Sequence, residues 1–193
     1  MQLWAGLGNP GGKYALHRHN VGFMAADILA EAHRFSPWQK KFRSLVAEGR
    51  IGRHRILLLK PQTYMNESGG AVAEALRFYK LDLEALTVFH DELDLAPFKV
   101  KVKVGGGVAG HNGLRSIDAH LGPEFRRVRI GIGHPGPGQK HLVTPHVLGN
   151  YSKPEMEPLS DLLAAIAAEA EWLADGDEPR FMSEVALRMQ QAE

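Results

Sequence analysis

The chain contains no cysteine among its 193 residues. This absence excludes disulfide bonds, thiolate metal ligands and a cysteine nucleophile. The chain also lacks G-x-S-x-G and H-E-x-x-H, the patterns of a serine nucleophile on a strand–helix elbow and of a helical zinc site. The sequence therefore gives little support for nucleophilic catalysis.

Long apolar stretches and a basic-then-apolar leader are also absent. A membrane-spanning helix needs about 20 consecutive apolar residues, and a secretory signal needs such a leader. We therefore expect a cytoplasmic protein without a membrane segment. The length and the hydrophobic fraction of 44% favour one globular domain over residues 1–193, with a helical C-terminal part from about residue 152.

Net charge is small, at +1, but the charges are unevenly distributed. Residues 99–140 contain eight Lys or Arg and two Asp or Glu, whereas residues 151–193 contain three Lys or Arg and ten Asp or Glu. The basic segment is typical of a surface that binds a polyanion, although solvated charged faces are also common. We expect the acidic tail to face away from such a ligand.

Short apolar runs alternate with segments of helical periodicity. Strands are predicted at residues 3–7, 45–51, 55–60, 86–89, 98–104 and 128–132. Helices are predicted from residue 21, where Asn20 is placed to cap, from residue 66 or 68, near 114–121, and as two segments after 152 split at 175–177. This alternation predicts a single α/β domain with its polar loops at one edge of a sheet.

The first loop has the sequence GLGNPGGKY at residues 6–14 and formally contains G-x-G-x-x-G. A dinucleotide site needs the third glycine to open a helix whose N-terminus faces the pyrophosphate. Here the loop continues through Lys13, and helical periodicity begins only near Val21. The pattern therefore argues against a nucleotide cofactor and predicts a rigid loop that presents polar groups.

The histidines raise a metal-dependent hydrolase as an alternative. His17 and His19 follow the first loop, and His90 and Asp91 end a predicted strand, so the four side chains could meet. However, the spacing that places two ligands on one helix face is missing. We therefore expect no metal and no cofactor.

The distribution of asparagine is more informative. Three of the five asparagines, Asn9, Asn66 and Asn112, lie in separate loops rich in glycine or turn residues. Asn is an ordinary turn residue, so each one alone is readily structural. Together with His19 and Asp91, they resemble a hydrolytic set: a histidine that activates water, a carboxylate that orients it, and amides that bind peptide-like groups.

The predicted strand at 98–104 places Lys99, Lys101 and Lys103 on one face. Lysines on an edge strand also prevent sheets from associating edge to edge, so this face has a structural explanation. Further cations follow in the same segment: Arg126, Arg127, Arg129 and Lys140. Several cations near a polar pocket suit a phosphate backbone.

Four sequence blocks, collinear from residue 6 to about 150, resemble those of the bacterial peptidyl-tRNA hydrolase family. They are GLGNPG at 6–11 with Tyr14 and RHNVGF at 18–23; KPQTYMNESG at 60–69; HDELD at 90–94 with GGG at 105–107 and GHNGLRS at 110–116; and RIGIG at 129–133. The resemblance implies a twisted mixed β-sheet flanked by α-helices. It also implies a monomeric, cytoplasmic, metal-independent esterase that cleaves the ester joining a peptide to the 3′-terminal ribose of peptidyl-tRNA.

The positions that match the family motifs imply roles for particular residues. His19 would be the general base, and Asp91 would hold its imidazole. The residues that would bind the peptide or line the cleft are Asn9, Tyr14, Tyr64, Asn66 and Asn112. The residues that would contact tRNA phosphates are Lys101, Lys103, Arg129 and Lys140.

Two positions depart from the family pattern. His17 stands where Thr is usual and adds a second imidazole near the base; Phe98 stands where Gly is usual, and we expect it to alter only a turn. Two rival functions are a non-catalytic RNA-binding relative, which loss of His19 or Asp91 would signal, and a dinucleotide oxidoreductase. Both of those residues are retained here.

Overall fold

The computed structural model describes the whole chain, residues 1–193. Seven strands form one sheet: β1 Gln2–Gly6, β2 Gln39–Lys41, β3 Ser44–Ile51, β4 His54–Pro61, β5 Leu86–Glu92, β6 Val100–Val104 and β7 Arg126–Gly131. The α-helices are α1 Val21–Ala32, α2 Ser68–Phe78, α3 Asn112–Leu121, α4 Val143–Val147, α5 Met156–Ala168, α6 Ala170–Ala174 and α7 Glu178–Ala192. The predicted single α/β domain with a mixed sheet flanked by helices is confirmed.

The strands lie in the order β2-β3-β4-β1-β5-β7-β6. The central strands β4, β1, β5 and β7 run parallel, and an antiparallel pairing completes each edge. All seven residues of β5 are buried, as expected for a parallel strand covered on both faces. Since parallel strands bring their carboxyl ends to one edge, the loops that follow β1, β4 and β5 meet there.

Helices cover the two faces of the sheet and form separate cores. On one face, α1, α5 and α7 pack around a cluster that includes Trp4, Phe89 and Phe181. On the other face, α2 and α3 pack around a cluster that includes Leu57 and Ile117. No helix is both long and apolar enough to cross a lipid bilayer.

A close approach of α1 to β1 fixes the first loop. A Cβ atom on Gly6 would overlap the carbonyl oxygen of Gly22, and a Cβ atom on Gly22 would overlap the carbonyl oxygen of Phe89. Only glycine permits such backbone contacts. Because His19 lies in the turn directly before α1, this contact helps to place its imidazole beside the end of β5.

Several boundaries differ from those predicted. β5 continues to Glu92 because Asp91 and Glu92 pair with β7, so Asp91 lies on the strand and not after it. The C-terminal segment contains three α-helices and not two, since α5 ends before Glu169. Asn20 does not cap α1 with its side chain, because its amide is bonded to Asn9 instead.

Two short elements, β2 and α4, were not expected. All three residues of β2 are exposed, and α4 has no buried residue. Neither element therefore has an apolar pattern that would distinguish it from a loop.

Candidate active site

Three titratable side chains meet at the carboxyl edge of the sheet. His19 comes from the 3₁₀ turn Arg18–Asn20, Asp91 from β5, and His111 from the residue that precedes α3. They line a cleft of about 230 Å³ together with Asn112, and α4 contributes to its wall. The structure thus brings together the two residues predicted to be catalytic and adds a third.

The contact between His19 and Asp91 defines the protonation of the imidazole. Nδ1 of His19 lies 2.9 Å from both carboxylate oxygens of Asp91. A carboxylate only accepts hydrogen bonds, so Nδ1 carries the proton, and Nε2 of the neutral ring has a free lone pair. The side chain of His19 is 10% exposed and that of Asp91 is 3% exposed. The carboxylate is therefore shielded, while the imidazole reaches the cleft.

His111 is the residue whose role the sequence did not reveal. Its Nε2 donates to Oδ1 of Asp91 at 2.9 Å, and its Nδ1 accepts the backbone N–H groups of Gly113 and Leu114. These bonds fix the tautomer, because one nitrogen must donate and the other must accept. His111 therefore caps α3 and anchors Asp91 at the same time. In the sequence, only its position directly before a predicted helix indicated that His111 could act as a cap.

The electrostatic environment keeps Asp91 ionised. Burial alone would raise the pKa of its carboxyl group. The adjacent imidazoles of His111 and His19, which both donate hydrogen bonds to the carboxylate, outweigh this effect and hold the pKa of Asp91 well below its ordinary value. The carboxylate can therefore stabilise a positive charge that develops on His19.

His90 lies beside this cluster but does not belong to it. Its Nδ1 donates to the backbone carbonyl of Asp91 at 2.8 Å, and its Nε2 is buried without a hydrogen-bond partner. Burial, reinforced by the nearby His111, lowers the pKa of His90 to about 3. His90 is thus a neutral interior residue.

The group that could hold a metal ion is His19, Asp91 and His111, whose ligand atoms all lie within 4.8 Å of one another. His17 and His90, considered as ligands from the sequence, are not part of it. Within the group, each imidazole nitrogen lies 2.9 Å from Oδ1 of Asp91, which is an ordinary hydrogen-bond distance. Both imidazoles already donate to the carboxylate, so the group is complete as a hydrogen-bonded network.

Asn9 joins two of the loops. Its Oδ1 accepts the backbone N–H of Met65 at 2.9 Å, and its own backbone N–H and carbonyl bond to the amide of Asn20. Asn9 therefore holds the loop after β4 against the loop after β1. Only its Nδ2 group remains for a substrate.

The amides of Asn66 and Asn112 are placed differently. Both residues are exposed, and neighbouring loops do not use their side chains. Asn66 lies in the 3₁₀ turn Met65–Glu67 that Asn9 positions, and Asn112 lines the cleft beside His19. Of the three asparagines predicted to bind substrate, these two have both amide groups available.

The predicted cleft tyrosines lie elsewhere. Tyr14 is half-buried and Tyr64 is 67% exposed, and both line a larger open pocket that does not include His19. The structure thus separates these rings from the histidine cleft.

Three of the four basic residues predicted to contact tRNA lie on β6 and β7, at the opposite edge of the sheet from β2. Lys101 faces Arg129 across the β6–β7 pairing, and both lysines of β6, Lys101 and Lys103, are exposed. Nη1 of Arg129 lies 3.6 Å from Glu92, so its charge is partly balanced within the chain. Lys140 is exposed in the 3₁₀ turn just before α4.

The two positions that depart from the family pattern have clear surroundings. His17 packs edge-on against Tyr14, with ring centroids 5.3 Å apart, and burial together with His19 lowers its pKa. His17 does not touch Asp91. Phe98 has a φ of 65°, in the left-handed region that favours glycine, and its ring stacks on Tyr151. The position therefore remains a turn, as expected, and the aromatic ring gains a packing partner.

Comparisons with known proteins identify the family of the chain. The family model described as peptidyl-tRNA hydrolase matches residues 3–193. The peptidyl-tRNA hydrolase of Rhizorhabdus wittichii is 67% identical over 189 residues, covering 98% of this chain and 99% of that protein, and that of Sphingopyxis alaskensis is 69% identical over 190 residues, covering 98% and 100%. The crystal structure of the Acinetobacter baumannii peptidyl-tRNA hydrolase superposes with a TM-score of 0.88 at 40% identity, covering 96% of this chain and 94% of that one. The chain therefore belongs to the peptidyl-tRNA hydrolase family of enzymes.

Proposed function

We propose that the chain hydrolyses the ester bond between a peptide and the 3′-terminal ribose of peptidyl-tRNA, and so frees the tRNA for reuse. The observation that carries this proposal is the hydrogen bond from His19 Nδ1 to Asp91, which leaves Nε2 of a neutral imidazole in the cleft. A neutral imidazole in this position is suited to take a proton from water.

The proposed reaction uses the unprotonated Nε2 atom of His19. Nε2 of His19 removes a proton from a water molecule, whose oxygen bonds to the ester carbonyl carbon. As the resulting intermediate collapses, the bond to the ribose oxygen breaks, and the imidazolium returns its proton to that oxygen. Asp91 stabilises the imidazolium throughout, and no bond forms between peptide and protein. General-base assistance of this kind accelerates a reaction by about 10²–10⁴-fold.

Selectivity for peptidyl esters follows from the exposed amides. Asn66 and Asn112 can pair with the amide of a peptide or of a blocked amino group. A free aminoacyl ester lacks this amide and so loses these hydrogen bonds, each worth about 0.5–1.5 kcal/mol. Asn9 contributes mainly by holding the loop that carries Asn66.

The exposed cations beside the cleft suit the tRNA backbone. Lys101 and Lys103 form no ion pair within the chain and face the same side as Arg129. Phosphate contacts position a nucleic acid without reading its bases, so we expect many tRNA species to be accepted. That the protein acts without a metal, as a monomer and in the cytoplasm stays a prediction.

The proposal is tested with one tRNA that carries either an N-acetylated or a free amino acid, incubated with the protein in excess chelator. We expect release of the blocked amino acid and intact tRNA, and much slower release of the free amino acid. Rapid-quench sampling should show no burst of tRNA release. Binding without cleavage would indicate an RNA-binding relative, and loss of activity that added zinc restores would contradict the metal-free mechanism.

A further inference from the structure

A second pocket, of about 1080 Å³, lies on the other side of the first loop from the histidine cleft. Tyr14 and Tyr64 form its inner wall, and the β2–β3 hairpin forms its outer wall. The basic residues that line it are Lys13, Lys40, Lys41 and Arg43, and its one carboxylate is Glu67. The pocket is therefore strongly basic, and its cations have no role in the proposed reaction.

Most of these positive charges are available. Lys13 and Lys40 are exposed and have no acidic partner, and the Lys13 ammonium lies over the ring of Tyr14. Arg43 pairs with Glu74 through Nε at 3.3 Å, but its side chain is still 59% exposed. Lys41 differs, because its ammonium lies 4.1 Å from the centre of the Phe78 ring. Three cations can therefore reach an anion in the pocket.

The hairpin that carries Lys40 and Arg43 is held in a defined position. Its tip residues, Phe42 and Arg43, have φ values of 54° and 52°, which non-glycine residues rarely adopt. Such a conformation persists only where the surroundings impose it. Phe42 is buried in the core below, and the carbonyl of Arg43 accepts the N–H of Gln62 at 2.9 Å. The basic wall is thus fixed against the loop that follows β4.

Sheet order indicates which part of the substrate enters this pocket. β2 and β6 are the opposite edge strands, and the histidine cluster lies between them at the ends of β1 and β5. The proposed tRNA contacts, Lys101 and Lys103, are on β6. The peptide and the tRNA are attached to opposite sides of the ester group, so they extend from it in different directions. If the tRNA lies toward β6, the peptide extends toward β2.

We propose that this pocket binds the peptide part of the substrate and favours acidic side chains. The inference rests on the proposed function and adds to it a preference among peptides. The path from β1 to β2 crosses three strand spacings of about 4.8 Å, or about 14 Å in all, which is the length of about four extended residues. The preference therefore applies to roughly the third to fifth residues counted from the ester.

The test compares two N-acetyl-pentapeptidyl-tRNAs that differ only in Glu or Gln at the third to fifth residues from the ester. For the wild type, we expect kcat/KM to be about three- to tenfold higher with Glu, the size expected for one or two solvent-exposed ion pairs. The ratio should fall toward one in the triple variant Lys13→Gln/Lys40→Gln/Arg43→Gln. It should also fall as salt is raised.

A matched control removes three charges at the other end of the β3–β4 hairpin. Arg50, Arg53 and Arg55 are exposed and outside the pocket, so the triple variant Arg50→Gln/Arg53→Gln/Arg55→Gln should keep the wild-type ratio. If the pocket variant does not fold, as judged by circular dichroism, Lys40→Gln alone should lower the ratio by a smaller factor, because this side chain is exposed and unpaired.

Two results would overturn the proposal. One is an equal kcat/KM for the Glu and Gln substrates in the wild type. The other is an equal fall in kcat/KM for both substrates in the pocket variant, which would indicate that the pocket binds the RNA backbone. An N-acetyl-aminoacyl-tRNA, too short to reach the hairpin, separates the two claims: if the wild type does not cleave it, the proposed function itself fails.

Discussion

His111 donates a hydrogen bond from Nε2 to Oδ1 of Asp91, the carboxylate oxygen that also lies 2.9 Å from Nδ1 of His19. Through its other nitrogen, His111 accepts two N–H groups at the start of α3. The position of the proposed base thus depends on how a helix begins in a different part of the chain.

This connection predicts that His111 positions Asp91. His111→Asn should keep the helix cap, since Asn is a favoured capping residue, but it is too short to keep the bond to Asp91. We expect a lower kcat with little change in KM, together with a loss of stability because the buried carboxylate of Asp91 loses a donor. His111→Ala should lower kcat similarly and cost about 1 kcal/mol more of unfolding free energy, because the cap is also lost. Steady-state kinetics and urea unfolding separate the two effects, and an unchanged kcat in both variants would contradict the positioning role.

The asparagines should divide into two kinds. Asn66→Ala and Asn112→Ala should each lower kcat/KM for a peptidyl substrate by about 0.5–1.5 kcal/mol of transition-state stabilisation without lowering stability, because these amides are exposed. Asn9→Ala should lower both activity and stability, because the N–H of Met65 loses its acceptor. Kinetics combined with thermal unfolding check this division. Unaltered peptidyl-substrate kinetics in both Asn66→Ala and Asn112→Ala would refute the selectivity account.

Lys103 is predicted to contact a tRNA phosphate. Replacement by Gln should weaken binding of all tRNAs alike and reduce the slope of log K against log salt by about one. Lys153→Gln, which removes an exposed charge near the acidic C-terminal helices, serves as the control and should leave the slope unchanged. Filter binding between low and moderate salt measures both slopes. Identical slopes for the wild type and Lys103→Gln would exclude the contact.

The buried, neutral His90 should make the folded protein less stable as pH falls. The folded protein keeps it neutral down to about pH 3, whereas an ordinary histidine in the unfolded chain binds a proton near pH 6.5. The unfolded state therefore binds more protons in this interval, and stability falls as pH drops, by about 1 kcal/mol per pH unit for this one group. His90→Asn retains a donor for the Asp91 carbonyl but cannot titrate, so urea unfolding from pH 7 to pH 4.5 should show a shallower loss. If the wild type and His90→Asn lost stability equally between pH 7 and pH 4.5, His90 would not be the neutral buried group described here.

Sequence patterns predicted most of the fold because the central strands are buried on both faces. Such strands, as in β1, β4 and β5, appear as apolar runs, and α1 and α2 show clear helical periodicity. The patterns missed β2, whose residues are all exposed, although this strand forms the wall of the basic pocket. Exposed elements show little hydrophobic periodicity, so the role of such an element can be inferred only from the residues that lie next to it in the structure.

The sequence predicted two members of the histidine cluster, His19 and Asp91, but not His111 and not the contacts that join the loops. His19 and Asp91 were identified by family resemblance, and their contact follows from the parallel arrangement of β1 and β5. Asn9 and Asn66 look equivalent in sequence, yet only the structure shows that one holds the loop of the other. His111 could not be assigned because its role depends on contacts between residues 20 positions apart.

We propose His19 as the base for attack by water. The most direct test is the single-turnover rate of N-acetyl-aminoacyl-tRNA hydrolysis in chelator, measured for the wild type, His19→Ala, and the surface control His141→Ala. We expect the rate to fall about 10²–10⁴-fold in His19→Ala, with tRNA binding retained, and to stay normal in the control. Cleavage by His19→Ala at the wild-type rate would contradict this proposal.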